Sequence, residues 1–189
     1  MSAGTADTAK TVLIVAGEAS GDHHGALVVR ALKELDPAVR TIGVGGDELA
    51  DAHMEILFHS RDIAVVGFFE VVFHMRHIIK AYLRLRREIA RSRPDLVLLI
   101  DYPEFNFQVA RLARKRRIPV LYYISPQLWA WRRGRAKKIA RLVDRMAVIF
   151  PFEVSFYREV GLDARFVGHP LMDTETASAG PRELIDSLN

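Results

Sequence analysis

A chain of 189 residues, half of them hydrophobic, has the length for one large domain or one and a fraction, and ample apolar material for a core. With no cysteine, it excludes a disulfide framework and a thiolate metal site. Its net charge of +4 hides an asymmetry: residues 111–145 carry twelve Lys and Arg against the single acid Asp144, a net +11, while the rest carries fifteen bases against twenty-two acids, a net −7.

The first ten residues, MSAGTADTAK, are small and polar, lack the apolar core of a secretory signal and read as a disordered tail, 1–10. No apolar run approaches the ~20 residues of a membrane-spanning helix. These features predict a soluble, cytoplasmic protein. Val12–Ala16 is a short β-branched run suited to a strand buried on both faces. It leads through Gly17-Glu-Ala-Ser-Gly-Asp22 into a helical pattern with apolar residues at Ala26, Leu27, Val28, Ala31, Leu32 and Leu35. Ser20 or Asp22 can cap that helix. Strand, small-residue turn and helix open a doubly wound α/β sheet, whose ligands sit at the carboxyl ends of strands. The glycine spacing fits neither the dinucleotide fingerprint nor the phosphate loop. The turn is therefore a site whose ligand the pattern leaves open, or simply a tight, well-capped βα turn.

Val39–Val44 is a second strand, ending at Gly43-Val-Gly-Gly46, where a backbone can approach a ligand. Asp47 caps a short helix to about His53, and Glu55–Phe58 is a third strand. Two helical patterns joined by such runs predict parallel strands with crossovers. Ile63–Met75 holds one charge, Glu70, and its three phenylalanines cannot share a direction. It reads either as a helix buried on all sides or as apolar surface offered to something greasy. Beyond it, Met75, Ile78, Ile79, Tyr82, Leu85 and Ile89 keep helical spacing, with Arg76, Lys80, Arg84, Arg87 and Arg91 on the other face.

Asp95–Ile100 is a central strand that ends in Asp101-Tyr-Pro-Glu-Phe-Asn106. A carboxylate there stands where α/β enzymes place catalytic groups, although it could equally accept N–H bonds within its own loop. Pro103 stiffens the turn and Asn106 can cap the helix through Arg116. Pro119–Ile124 is the next strand and delivers Ser125-Pro-Gln-Leu-Trp129-Ala-Trp131-Arg132. Both tryptophans precede the densest basic run, an arrangement that suits nucleic acid, or a sugar ring and its phosphate. The same run could be no more than solvated helix faces. A helix to about Val143, a strand at Arg145–Phe150, a helix from Pro151 to Gly161 and a strand at Ala164–Val167 complete the pattern. The histidines form no metal signature: His23 and His24 point apart on a helix, and His74 and His77 have no carboxylate at zincin spacing.

Taken together, Gly17–Asp22, Gly43–Gly46, Val66–Val72, Asp101–Asn106, Ser125–Arg132, Phe150-Pro-Phe-Glu153 and Val167-Gly-His-Pro-Leu171 resemble, in order, the lipid-A-disaccharide synthase family. The chain differs in placing His23-His24 where the family has an apolar residue and Val66 where it has Met. The resemblance implies the amino-terminal, Rossmann-like domain of a GT-B fold over 11–173. Residues 174–189 would then be a linker or remnant, because the family is about twice this length. It implies an inverting transfer of 2,3-diacylglucosamine from UDP-2,3-diacylglucosamine to 2,3-diacylglucosamine 1-phosphate, with Asp101 as general base and Glu18 as a second catalytic acid. Implied substrate contacts are Gly17, Ser20, Gly21, Asp22, Gly45, Gly46, Phe68, Phe69, Asn106, Ser125, Trp129, Trp131, Arg132 and His169, with no cofactor or metal. A peripheral position on the inner face of the cytoplasmic membrane, contact with anionic lipids, no nucleic-acid partner and a possible homo-oligomer complete the expectation. This half alone is expected to be inactive. The alternatives are a lipid- or nucleotide-sugar-binding module without catalysis and a nucleotide-sugar epimerase.

Overall fold

The computed structural model describes residues 9–62, 71–126 and 133–172. Seven strands form one parallel sheet in the order β3-β2-β1-β4-β5-β6-β7: β1 Thr11–Ala16, β2 Arg40–Gly45, β3 Glu55–His59, β4 Leu96–Ile100, β5 Val120–Tyr123, β6 Arg145–Val148 and β7 Asp163–Phe166. Each agrees with its predicted strand to within two residues at either end. Between them run α1 Ala19–Leu35, α2 Asp47–Asp51, α3 Val71–Ser92, α4 Pro103–Lys115, α5 Arg133–Ala140 and α6 Pro151–Arg158.

Alternation along the strands feeds two cores. Val12, Ile14, Ala16, Leu98 and Ile100 pack with Ala26, Val29 and Leu49 of α1 and α2 on one face. On the other, Leu13, Val15, Val97 and Leu99 pack with Ala81, Leu85 and Ile89 of α3 and with α4. Of the predicted stripe of α3, Leu85 and Ile89 are buried and Ile78 and Tyr82 pack against the core, whereas Ile79 is 50% exposed; Leu83, outside that stripe, is 40% exposed beside it. Of the predicted stretch at 63–75, residues 63–70 lie outside the described residues and 71–75 begin α3. Among the described residues, no helix is long and apolar enough to cross a membrane.

The strand order reverses at β1. The chain steps from β1 to β2 and β3 in one direction, then returns to place β4 on the other side of β1, with Val12 opposite Leu96 and Ala16 opposite Ile100. Such a reversal leaves a crevice between the carboxyl ends of β1 and β4.

Candidate functional site

Two acids meet at that reversal. Glu18 follows β1 as the extended N-cap residue of α1, and Asp101 follows β4. Gly17 allows the two turns to approach: a Cβ there would lie 2.3 Å from Tyr102 Cδ1, so any other residue would drive the Tyr102 ring away. Asp101 and Tyr102 both adopt left-handed backbone, with φ of 45° and 46°. Non-glycine residues held there cost roughly 1–3 kcal/mol each and persist only where their surroundings over-determine them. Here the fully buried Asn106 donates to the carbonyls of Ile100 (3.2 Å) and Asp101 (2.6 Å), and the Tyr122 hydroxyl donates to Asp101 O at 2.6 Å. Among the described residues, no hydrogen bond occupies the Asp101 carboxylate.

Glu18 is exposed overall, yet partial burial of its carboxyl, and secondarily the Asp101 charge, hold its pKa above the ordinary value. Burial, then the Glu18 charge, likewise push the Tyr102 hydroxyl up. Glu18 is therefore a perturbed acid beside a second carboxyl group at a strand-end crevice, a setting that suits proton transfer.

Around this pair the fold spends several polar groups on its own backbone. Asp22 does not cap its own helix. It accepts from the N–H groups of Gly46 (2.5 Å), Glu48 (3.0 Å) and Leu49 (3.3 Å), and so caps α2 from α1. A Cβ at Gly46 would lie 2.5 Å from Asp22 Oδ2, which requires glycine there. Asp47, predicted to cap α2, is instead its first helical residue and pairs with Arg61 (2.6 Å) and His59 (3.1 Å). Asn106 sits inside α4 rather than capping it; Tyr102 is the N-cap residue. Ser125 is buried and donates to the equally buried Glu153, whose other oxygen accepts from Phe150 N–H at 3.2 Å. This fastens the end of β5 to the start of α6. Below it, the Tyr157 hydroxyl donates to Pro126 O at 3.2 Å, and burial pushes that phenol up to about 12.

The other anticipated contacts divide by position. Gly17, Glu18, Asp22 and Gly46 line a cleft of about 360 Å³ with His59 and Arg61. Ser20 is exposed in the first turn of α1. Gly21 packs on Ala16 and Ile100, and Gly45 on Leu49 and Met54. His169 follows β7, accepts from Leu171 N–H at 3.3 Å and lies 5.6 Å from the Phe150 ring. Phe68, Phe69, Trp129, Trp131 and Arg132 lie outside the described residues. Among the described residues, no cluster of three His, Asp or Glu converges as a metal site. Sequence reasoning missed Tyr122 and Glu153, although Glu153 stands three residues after Phe150, the spacing of a reach-back cap.

Seven parallel strands with this order and a strand-end crevice define the Rossmann-like half of a GT-B fold. The solved structure of Staphylococcus aureus MnaA with UDP aligns at a TM-score of 0.64 and 14% identity over 92% of this chain and 47% of that one. The Neisseria meningitidis UDP-GlcNAc 2-epimerase bound to UDP-GlcNAc gives 0.61 and 14% over 86% and 47%. Acinetobacter baumannii MurG gives 0.50 and 19% over 75% and 42%. At these identities the likeness establishes the fold alone.

Sequence comparison narrows the class. The lipid-A-disaccharide synthetase family model matches residues 12–188, and the chain belongs to that family. The lipid-A-disaccharide synthase of Geobacter sulfurreducens is 51% identical over 97% of this chain and 48% of its own length. That of Geobacter metallireducens is 53% identical over 93% and 46%. The chain spans about half the length of the curated relatives it matches.

Proposed function

We propose that this chain supplies the acceptor-binding half of an inverting glycosyltransferase of lipid A biosynthesis. The reaction joins 2,3-diacylglucosamine from its UDP donor to 2,3-diacylglucosamine 1-phosphate and releases UDP. Asp101 takes the proton of the acceptor hydroxyl as the oxygen attacks the anomeric carbon, and the bond to the diphosphate breaks on the opposite face. The observation that carries the reading is the Asp101 carboxylate, unoccupied by hydrogen bonds among the described residues, on a doubly latched turn at the strand reversal of a chain of this family. Such fixing is what a positioned base requires. Turnover requires the remaining length that the relatives possess.

The same enzyme works on acylated substrates at a membrane surface, and we assign that contact to the outer face of α3 and α4. Arg86, Arg111, Lys115 and Arg116 line a cleft of about 560 Å³ there with Tyr82 and Gln108. Among the described residues, none of these cations has an acidic partner.

The test is Asp101→Asn in this chain completed with the carboxyl-terminal part of the G. sulfurreducens relative. Loss of a general base costs ~10²–10⁴ in rate, with acceptor affinity little changed. Near-normal turnover in Asp101→Asn, with loss in Glu18→Gln, assigns the base to Glu18. UDP-GlcNAc epimerisation without transfer would support the epimerase alternative.

A further inference from the structure

We propose that His24 is a positioning residue of the crevice, a neutral imidazole that presents Nε2–H to an oxygen of the acceptor sugar beside Asp101. The proposal rests on the acceptor reading given above and names a contact within that site.

His24 lies in the second turn of α1 and is half-buried. Gly21 and Gly25 on that helix face Ile100 of β4, so α1 lies close against the sheet there. One and two turns on, Val28 and Leu32 continue the row begun by His24 and line an apolar groove with Leu98 and Tyr123 of β4 and β5. His24 therefore stands at the carboxyl-end mouth of that row. Its neighbour is differently engaged: the His23 ring meets that of His24 edge-on, 5.5 Å away at 65°, and its Nδ1 pairs with Glu48 at 2.7 Å. The sequence reading of two histidines pointing apart is thus corrected: adjacent on α1, their rings lean together edge-on, and it is His23 whose nitrogen reaches a carboxylate.

The two nitrogens of His24 are not equivalent. Among the described residues Nδ1 is sealed from solvent without a hydrogen-bond partner, whereas Nε2 is not among the sealed, unpartnered atoms of this half-buried side chain. Nδ1 is unsatisfied in either tautomer, but an orphaned buried N–H is tolerated less than an orphaned lone pair, so the neutral ring carries its hydrogen on Nε2. The imidazolium, which needs both protons, is disfavoured for the same reason. The charged surroundings point the same way on balance. Burial, His23 and His169 lower the pKa of His24, and Asp101 and Glu48 oppose them with smaller effect. A neutral donor beside a general base has a clear use. It can hold a substrate oxygen in line without pairing with the Asp101 carboxylate, which an imidazolium would do at the expense of basicity.

The first measurement uses the 189-residue chain labelled with ¹⁵N. Long-range proton–nitrogen correlation at pH 7 is expected to show His24 protonated at Nε2 and unprotonated at Nδ1. An Nδ1–H tautomer or an imidazolium at that pH overturns the proposal. Adding 2,3-diacylglucosamine 1-phosphate with short acyl chains is then expected to shift His24 Nε2 together with the Glu18 and Asp101 amides. Shifts at Glu18 and Asp101 without any at His24 overturn the contact and leave the acceptor reading standing; shifts at none of the three overturn both.

Substitution separates positioning from packing. The amide of His24→Gln can replace the Nε2–H donor, whereas His24→Leu keeps bulk without it. Acceptor affinity is expected to stay within about threefold in the Gln variant and to fall about tenfold in the Leu variant, with equal melting temperatures. Equal affinity in both variants would falsify the role.

Discussion

Asn106, one turn into α4, donates its amide to the carbonyl of Asp101 at 2.6 Å and to that of Ile100 at 3.2 Å. The last residue of β4 and the residue that carries the candidate base are thus tied to the helix they precede. Replacing Asn106 by Ala leaves the Ile100 carbonyl without its side-chain donor and opens a small cavity in a fully buried position. The expected loss of stability is about 1–3 kcal/mol, read as a lower midpoint in urea at unchanged slope. The Tyr122 hydroxyl still holds Asp101 O, so Asn106→Ala combined with Tyr122→Phe is expected to lose more than the two single losses added. Simple additivity would show that the two donors do not act as one latch.

Asp22 offers a second test, because three backbone N–H groups of another element depend on it. Asp22→Ala uncaps α2 and removes a carboxylate placed at its positive end. Hydrogen bonds to a charged group contribute about 1.5–3 kcal/mol. The loss is therefore expected to exceed the ~1 kcal/mol of an ordinary cap. Amide exchange of Glu48 and Leu49 should accelerate more than that of residues in β4. Uniform acceleration across the sheet would mean that Asp22 supports the whole domain rather than α2.

The sequence carried the sheet more clearly than the site's supports. Runs such as Val12–Ala16 and Leu96–Ile100 are apolar because both faces of a central parallel strand are covered, and that burial leaves a local signature. Asp101 was legible as well, since a carboxylate ending such a run is conspicuous. The partners of Asp22 were not. They lie 24 to 27 residues away, and a cap given to a neighbouring helix leaves no mark on the segment around the accepting carboxylate. Asn106 was read as a cap because caps and buried latches use the same residue type, and only burial tells them apart. The periodicity of α3 placed Ile79 with the core stripe, yet it is 50% exposed, while Ile78, one position before it, is the residue that packs against the core. His24 was obscured by standing next to another histidine, His23, whose Nδ1 is hydrogen-bonded to Glu48.

The outer face of α3 and α4 is expected to bind anionic bilayers. Exposed Ile79 and Leu83 lie among exposed Lys80, Arg84, Arg86 and Arg87, and Arg111, Lys115 and Arg116 extend the charge across α4. Each basic group near such a surface contributes on the order of 1 kcal/mol, and apolar contact adds to it. Co-sedimentation with phosphatidylglycerol vesicles should exceed that with phosphatidylcholine and decline as salt rises. Replacing Arg86, Arg111, Lys115 and Arg116 together by Ala should weaken binding by at least about tenfold. Unchanged binding in that variant would move the contact to another face.

Glu18 gives the last prediction, in which the direction with pH is fixed by linkage. Its native pKa is raised from the ordinary 4.5, first by partial burial and then by the charge on Asp101. A carboxyl shifted this way contributes its stability below the unfolded pKa and loses it as pH rises through the native value. At neutral pH the ionised Glu18 is therefore a net burden on the folded chain. Glu18→Gln is expected to raise the melting temperature at pH 7 and to leave it nearly unchanged at pH 3, where the wild-type carboxyl is already protonated. The order of the two causes can be tested in the same experiment. In an Asp101→Asn background the neutral-pH gain from Glu18→Gln should shrink but persist, because the larger cause is burial rather than the neighbouring charge. A gain that vanishes in that background would make the Asp101 charge the dominant influence. A gain of equal size at pH 3 and pH 7 would mean that ionisation of Glu18 is not its source.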